Sequence, residues 1–224
     1  SVISSAVKCL SLFRDEVVAG NTAACDFAIE DLVRHESPVS LYLVVPPSDV
    51  SRTRLLIRLL INQIGRRLTE TLNPEEGEGA AARRRLLFMM DEFPTLGRLD
   101  FFQTQLAYLA GYGIQAFLIV QDLSQLYAAY GTNESIVSNC HVRVAFAPNK
   151  VETARLLSEM AGIMTVRKAR RMYSGNRLSP WLSHVMESEE ESQRPLITPD
   201  EVLRLPEDNA IVFAAGHRPI WAMK

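Results

Sequence analysis

The feature that most constrains this chain is a run of five apolar residues, Leu86-Leu87-Phe88-Met89-Met90, that ends abruptly in the carboxylates Asp91 and Glu92. A strand that is apolar on both faces must be covered on both, which is the situation of a strand inside a parallel sheet. In such sheets the carboxyl ends of the strands form the edge at which ligands bind. Two readings of the acids are open. In one, Asp91 holds the water shell of a metal ion and Glu92 polarises a water for attack on a phosphate. In the other, a core strand runs into an acidic helix cap.

The rest of the chain supplies alternating elements around that strand. Apolar residues at helical spacing predict an amphipathic helix over Ser1 to Arg14 and a long one over Arg52 to Leu72. Leu41-Tyr42-Leu43-Val44-Val45, closed by Pro46-Pro47, reads as a short buried strand. Further strands are expected at 116–120, 142–147, 210–214 and 219–223, with helices near 101–110, 123–130 and 150–161. Asn149 is placed to cap the helix at 150, and Thr198-Pro199-Asp200-Glu201 to open another. Residues 73–79 read as an exposed acidic loop, and about 167–194 as a mobile insertion of mixed charge within one domain. Strands alternating with helices give an α/β fold with a parallel sheet covered on both sides.

Composition narrows the functional classes. A formal net charge of -2 with a pI near 6.1 excludes a surface that is basic all round, so any nucleic-acid contact is local. Basic clusters at Arg83-Arg84-Arg85 and Arg167-Lys168-Ala169-Arg170-Arg171 read first as solvated loop. Cys9, Cys25 and Cys140 lack C-x-x-C spacing and fit reduced, buried thiols. His35, His141, His184 and His217 lack metal-ligand spacing. Trp181, inside the expected insertion, is either a partner-docking residue or a local anchor. No apolar run reaches the roughly 18 residues of a membrane span, no signal peptide is seen, and a start within a helical pattern suggests a chain cut from something longer.

Gln121 follows the apolar strand Phe117-Leu118-Ile119-Val120 and is expected at the same sheet edge as Asp91 and Glu92. Its amide suits phosphate sensing or water orientation; the plain alternative is a Gln-Asp helix cap. Together with Asp91-Glu92-Phe93-Pro94-Thr95-Leu96-Gly97, Ala110-Gly111-Tyr112-Gly113-Ile114, Leu118 to Leu126, Ser138-Asn139-Cys140 and Arg194 to Val202, these residues resemble successive blocks of the TraG-like coupling protein family. The likeness spans nearly the whole chain.

That resemblance implies a RecA-like motor domain, of which this chain is the carboxy-terminal part. It implies ATP and Mg2+ as cofactors, with Asp91 as the magnesium-side acid acting through water, Glu92 as the catalytic acid and Gln121 as the phosphate sensor. The implied partners are DNA with its relaxase complex and the components of a type IV secretion channel. A homo-hexameric ring is implied, held at the cytoplasmic face of the bacterial inner membrane by a segment outside this chain. Two departures qualify the pattern. No Gly-x-x-x-x-Gly-Lys-Ser/Thr loop is present, since Lys8, Lys150, Lys168 and Lys224 are the only lysines and none follows a glycine, so the phosphate-loop half of the fold is missing. The basic pair that some branches carry before the glycine at Gly113 is replaced by Ala110 and Gly111, which leaves the arginine finger unassigned, with Arg98 and Arg143 as candidates. The rival reading is a docking module that recruits the DNA complex or channel components without hydrolysing nucleotide.

Overall fold

Leu86–Met90 forms a strand (β1) and pairs in parallel with Ile114–Leu118 (β2), in a register that sets Met90 opposite Leu118. The computed structural model describes residues 7, 10–71, 83–174 and 184–223. The chain divides into two compact units, Ser1–Asn139 and Cys140–Lys224, where one domain is expected from length alone.

In the first unit, helices α1 (Glu16–Asn21) and α2 (Asp31–Arg34) precede the long helix α3 (Val50–Leu68). After β1 come a 3-10 turn at Phe93–Leu96, α4 (Asp100–Gln105), a second 3-10 turn at Leu109–Tyr112, β2, α5 (Leu123–Tyr130) and α6 (Ile136–Asn139). Helix α3 buries the end of its apolar stripe, Ile61, Ile64 and Leu68, together with Gly65. A Cβ on Gly65 would lie 2.4 Å from the Phe101 ring, so only glycine admits this close approach. Phe88, Phe93, Phe101 and Phe102 meet edge to face around Phe102, with centroids 5.4–5.8 Å apart. Each buried ring contributes about 1.5–3 kcal/mol by leaving water.

The second unit is antiparallel. β3 (Val142–Ala145) and β7 (Ile220–Met223) flank β6 (Asn209–Ala214). A tight turn through Gly216, at φ 79°, joins β6 to β7, and strands joined so closely can pair only antiparallel. Helices α7 (Val151–Ala161) and α8 (Pro199–Leu203) contribute Ala154, Leu157, Ala161 and Val202 to a core completed by Ile211 and Phe213. Thr198 and Glu201 form the expected reciprocal cap of α8.

Several expectations are corrected. Leu41 to Val45 is extended but is no strand; Tyr42 and Val44 are 80% and 85% exposed, because no neighbour among the described residues supplies a hydrogen-bonding edge. Sheet β1–β2 is covered on one face, by Phe88, Met90 and Ile114, while Leu87, Met89 and Phe117 face outward. Lys150, not Asn149, takes the N-cap position of α7, with no side-chain cap. Cys25 is exposed and donates to the Phe27 carbonyl rather than filling core. Arg83 is not solvated loop: it closes the end of α3 by donating from Nη2 to the Leu68 carbonyl at 2.6 Å. Most of the expected first helix, Cys9, the acidic loop at 73–79 and Trp181 lie outside the described residues.

The segment read as an irregular insertion forms a two-stranded ribbon, β4 (Ile163–Ser174) against β5 (His184–Pro195). In the backbone register Arg167, Lys168 and Arg171 fall opposite Glu191, Glu190 and Glu187, and Arg167 pairs with Glu191. An isolated pair of strands is only marginally stable in water. Limited trypsin digestion is therefore expected to cut first within Arg167 to Arg171, followed by mass spectrometry of the fragments. First cleavage within Arg83 to Arg85, where the Arg84 amide is tied to the Val33 carbonyl at 2.7 Å, would contradict this ordering.

Candidate functional site

Past the end of β1 and β2 the two backbones stay bonded. The Ile119 amide donates to the Met90 carbonyl, and the Phe93 amide donates to the Ile119 carbonyl, both at 3.0 Å. These bonds bring the residues after the two strands side by side. Between them, Glu92 adopts φ 49° and ψ 42°, the only left-handed non-glycine residue among those described. Such a backbone costs a side chain about 1 kcal/mol or more and persists where the surroundings enforce it. Here the enforcement is visible. The Glu92 carbonyl accepts from both the amide and the hydroxyl of Thr95, at 2.8 and 2.7 Å, while the next residue, Phe93, is fully buried.

The side chains follow. Gln121 Nε2 donates to Glu92 Oε1, and the Glu92 amide donates to Asp91 Oδ1 at 3.1 Å. Asp91 and Gln121 are exposed and Glu92 half-buried, so the carboxylates are open to an incoming ligand. The Gln-Asp helix cap is present through its second residue, as Asp122 caps α5 by accepting from the Ser124 amide at 2.8 Å, while the Gln121 amide turns to Glu92. Glu92, at the N-cap of the 3-10 turn, does not use its carboxylate for capping. The structure thus brings together all three residues singled out from the sequence.

Two supports of the site carried no functional signal in the sequence. Tyr130 stacks on Phe93, with centroids 5.5 Å apart, and its hydroxyl accepts from the Leu99 amide at 3.0 Å. Burial pushes its phenol up to about 12. Thr95 sits three residues after Glu92, a spacing that could have suggested a side-chain bond across the turn.

A family model described as type IV secretory system conjugative DNA transfer matches residues 1–224. The chain belongs to this family. The conjugal transfer protein TraG of Escherichia coli is 48% identical over 237 residues, covering 99% of this chain and 37% of TraG. VirD4 of Agrobacterium fabrum is 32% identical over 213 residues, covering 94% of this chain and 30% of VirD4. Among solved structures, the bacterial conjugative coupling protein TrwB in a trigonal form with sulphate matches with a TM-score of 0.68 at 20% identity, over 89% of this chain and 43% of that one. The plasmid coupling protein TrwB in complex with ADP and Mg2+ gives the same TM-score, 0.68, and the same coverage. At that identity the likeness establishes a shared fold. The chain spans under half the length of these relatives.

Within this family member the two candidate arginines differ. Arg98 is paired, its Nε lying 2.8 Å from Asp100. Arg143 donates from Nε to the Cys140 carbonyl at 3.0 Å and has no ion pair among the described residues.

The Tyr130 arrangement yields a prediction. Removing its hydroxyl leaves the buried Leu99 amide unbonded, so Tyr130→Phe should lower unfolding stability by about 1–3 kcal/mol in urea titration. The pH dependence has a definite sign. The folded phenol stays protonated up to about 12 while an unfolded tyrosine ionises near 10, so the parent loses stability as pH rises through this window, and the phenylalanine variant loses less.

Proposed function

We propose that this chain is the carboxy-terminal part of a RecA-like motor domain in a TraG-like coupling protein, which as a whole drives relaxase-bound DNA toward a type IV secretion channel by hydrolysing ATP. The observation that carries the reading is the Gln121 amide holding the Glu92 carboxylate beside Asp91 at the carboxyl end of two parallel strands. The printed identities of the relatives, conjugal transfer and coupling proteins, support it, as do TrwB complexes with ADP and Mg2+ and with an ATP analogue. The outward apolar face of β1–β2 supports a sheet that is incomplete in this chain, with the phosphate-loop half supplied upstream. In the same reading the protein forms a hexameric ring at the cytoplasmic face of the inner membrane, anchored by a segment outside this chain. Among the described residues, no helix is long and apolar enough to cross a membrane.

The donor set suits magnesium. Asp91 and Glu92 offer hard carboxylate oxygens, and no group of three or more acids, histidines or cysteines among the described residues builds a complete metal cage. Magnesium is commonly held by one or two carboxylates, waters and substrate phosphates. When bound, it neutralises charge developing on the phosphates. Asp91 would hold its water shell. Glu92 would take the proton of the water whose oxygen attacks the γ-phosphorus as the bond to the β-phosphate oxygen breaks. Gln121 orients Glu92 and can exchange that bond for one to the γ-phosphate.

In the full-length protein, Glu92→Gln should reduce ATP hydrolysis by about a hundredfold or more while retaining nucleotide binding, because the amide keeps the shape but cannot accept the proton. Asp91→Asn should weaken magnesium-dependent binding as well. Hydrolysis at the parental rate by Glu92→Gln overturns the assignment and favours a docking module.

The chain by itself should show no ATP hydrolysis and at most weak nucleotide binding. Phosphate affinity in such motors resides in the backbone amides and lysine of the glycine-rich loop, which this sequence does not contain. Phosphate release and ATP titration, run on this chain and on a polypeptide extended upstream, test the point. Robust turnover by the chain alone contradicts it.

A further inference from the structure

The second unit contains a cavity of about 190 Å³ lined by Arg143, Met160, Phe213, Ala214, Ala215, His217 and Pro219, none of them acidic. Strand pairing builds it. Arg143 stands opposite Phe213 in the β3–β6 ladder, and the turn after β6 is closed by two bonds, the Ala215 amide to the His141 carbonyl at 2.9 Å and the His217 amide to the Ala214 carbonyl at 3.0 Å. The backbone of His217 is thereby held, and the residue lines the same cavity as Arg143.

The arginine is unusual within this chain. Three arginines are half-buried among the described residues: Arg58, Arg83 and Arg143. Arg58 donates from Nη2 to the Arg98 carbonyl at 2.7 Å, and Arg83 donates from Nη2 to the Leu68 carbonyl at 2.6 Å and from Nη1 to the Thr71 carbonyl. Arg143 bonds only through Nε, which leaves its terminal fork of donors without a partner among the described residues, at a cavity that also carries an imidazole. A half-buried guanidinium whose fork has no protein partner is left to water, which an anion can displace. The fork matches two oxygens of a tetrahedral oxyanion, and the imidazole adds a third donor. Met160, Phe213 and Pro219 supply the apolar part of the lining.

We infer that Arg143 and His217 form a binding site for a phosphate group, built from residues other than Asp91, Glu92 and Gln121. The group belongs either to the backbone of a nucleic acid or to a nucleotide, and the chemistry of recognition is the same for both.

The test uses the 224-residue chain. In heteronuclear NMR, inorganic phosphate should shift the Arg143 side-chain Nε–H and the His217 ring resonances saturably. Anisotropy of a labelled single-stranded oligonucleotide, and separate titration with ATP, then identify the source. Arg143→Ala should weaken whichever of the two binds by about tenfold or more, and Arg143→Lys less, as a point charge replaces a fork. His217→Ala, on an exposed turn, should weaken it without altering the fold, and Arg155→Ala, an exposed arginine away from the cavity, should change nothing. An effect confined to the oligonucleotide assigns the site to nucleic acid, and one confined to ATP assigns it to nucleotide. Unshifted resonances, or equal effects of Arg143→Ala and Arg155→Ala, overturn the site while leaving the Glu92 reading to its own experiment.

Discussion

Phe93 has no exposed surface, and the candidate site follows from where that ring must go. It lies edge to face with Phe102 and stacks on Tyr130, so the chain must turn inward immediately after β1. The chain surfaces at Asp91 and enters the core again at Phe93, which leaves Glu92 at the pivot. The left-handed backbone at Glu92 is the result, and it turns the carboxylate toward Gln121. The strain is small beside the burial of a phenylalanine ring, about 1 kcal/mol against about 1.5–3. Packing sets the backbone, and the Gln121 amide then holds the carboxylate.

The same economy of causes runs through the second unit. The short turn at Gly216 forces β6 and β7 to pair antiparallel, and the two strands of the ribbon carry residues of opposite charge. One edge of the ribbon is basic and the other acidic, and the described pair, Arg167 with Glu191, lies 2.9 Å apart. Exposed pairs of this kind each contribute a few tenths to 1 kcal/mol. They set register more than stability. The basic run read in sequence as solvated loop lies, in this register, opposite the strand that carries Glu187, Glu190 and Glu191.

Much of this was legible in the sequence. The strand ending in Asp91 and Glu92 stood out because apolar runs and abrupt charge survive any context, and α5 and the cap at Thr198 carry their own local signals. Gln121 was found because strand ends share an edge. What could not be read depends on distant partners. Leu41 to Val45 has strand composition but no edge to join among the described residues. Residues 163–174 and 184–195 lack apolar alternation, so their pairing is visible only once both strands are set in register. Tyr130 looked like any helical tyrosine until its hydroxyl met an amide 31 residues away in sequence.

An amide at position 121, rather than a cation, has a physical consequence. A lysine or arginine about 4 Å from Glu92 would attract it by roughly 4 kcal/mol at an effective dielectric near 20. That attraction would favour the charged carboxylate and so weaken it as a proton acceptor. An amide fixes the carboxylate through one donated hydrogen bond and adds no net charge. A competing phosphate oxygen can take the same N–H without having to break an ion pair. In the proposed reading, two adjacent acids and one neutral donor suit proton transfer at a strand end and hold a polyanion poorly unaided. On that proposal, the cationic donors for a triphosphate come from elsewhere in the protein.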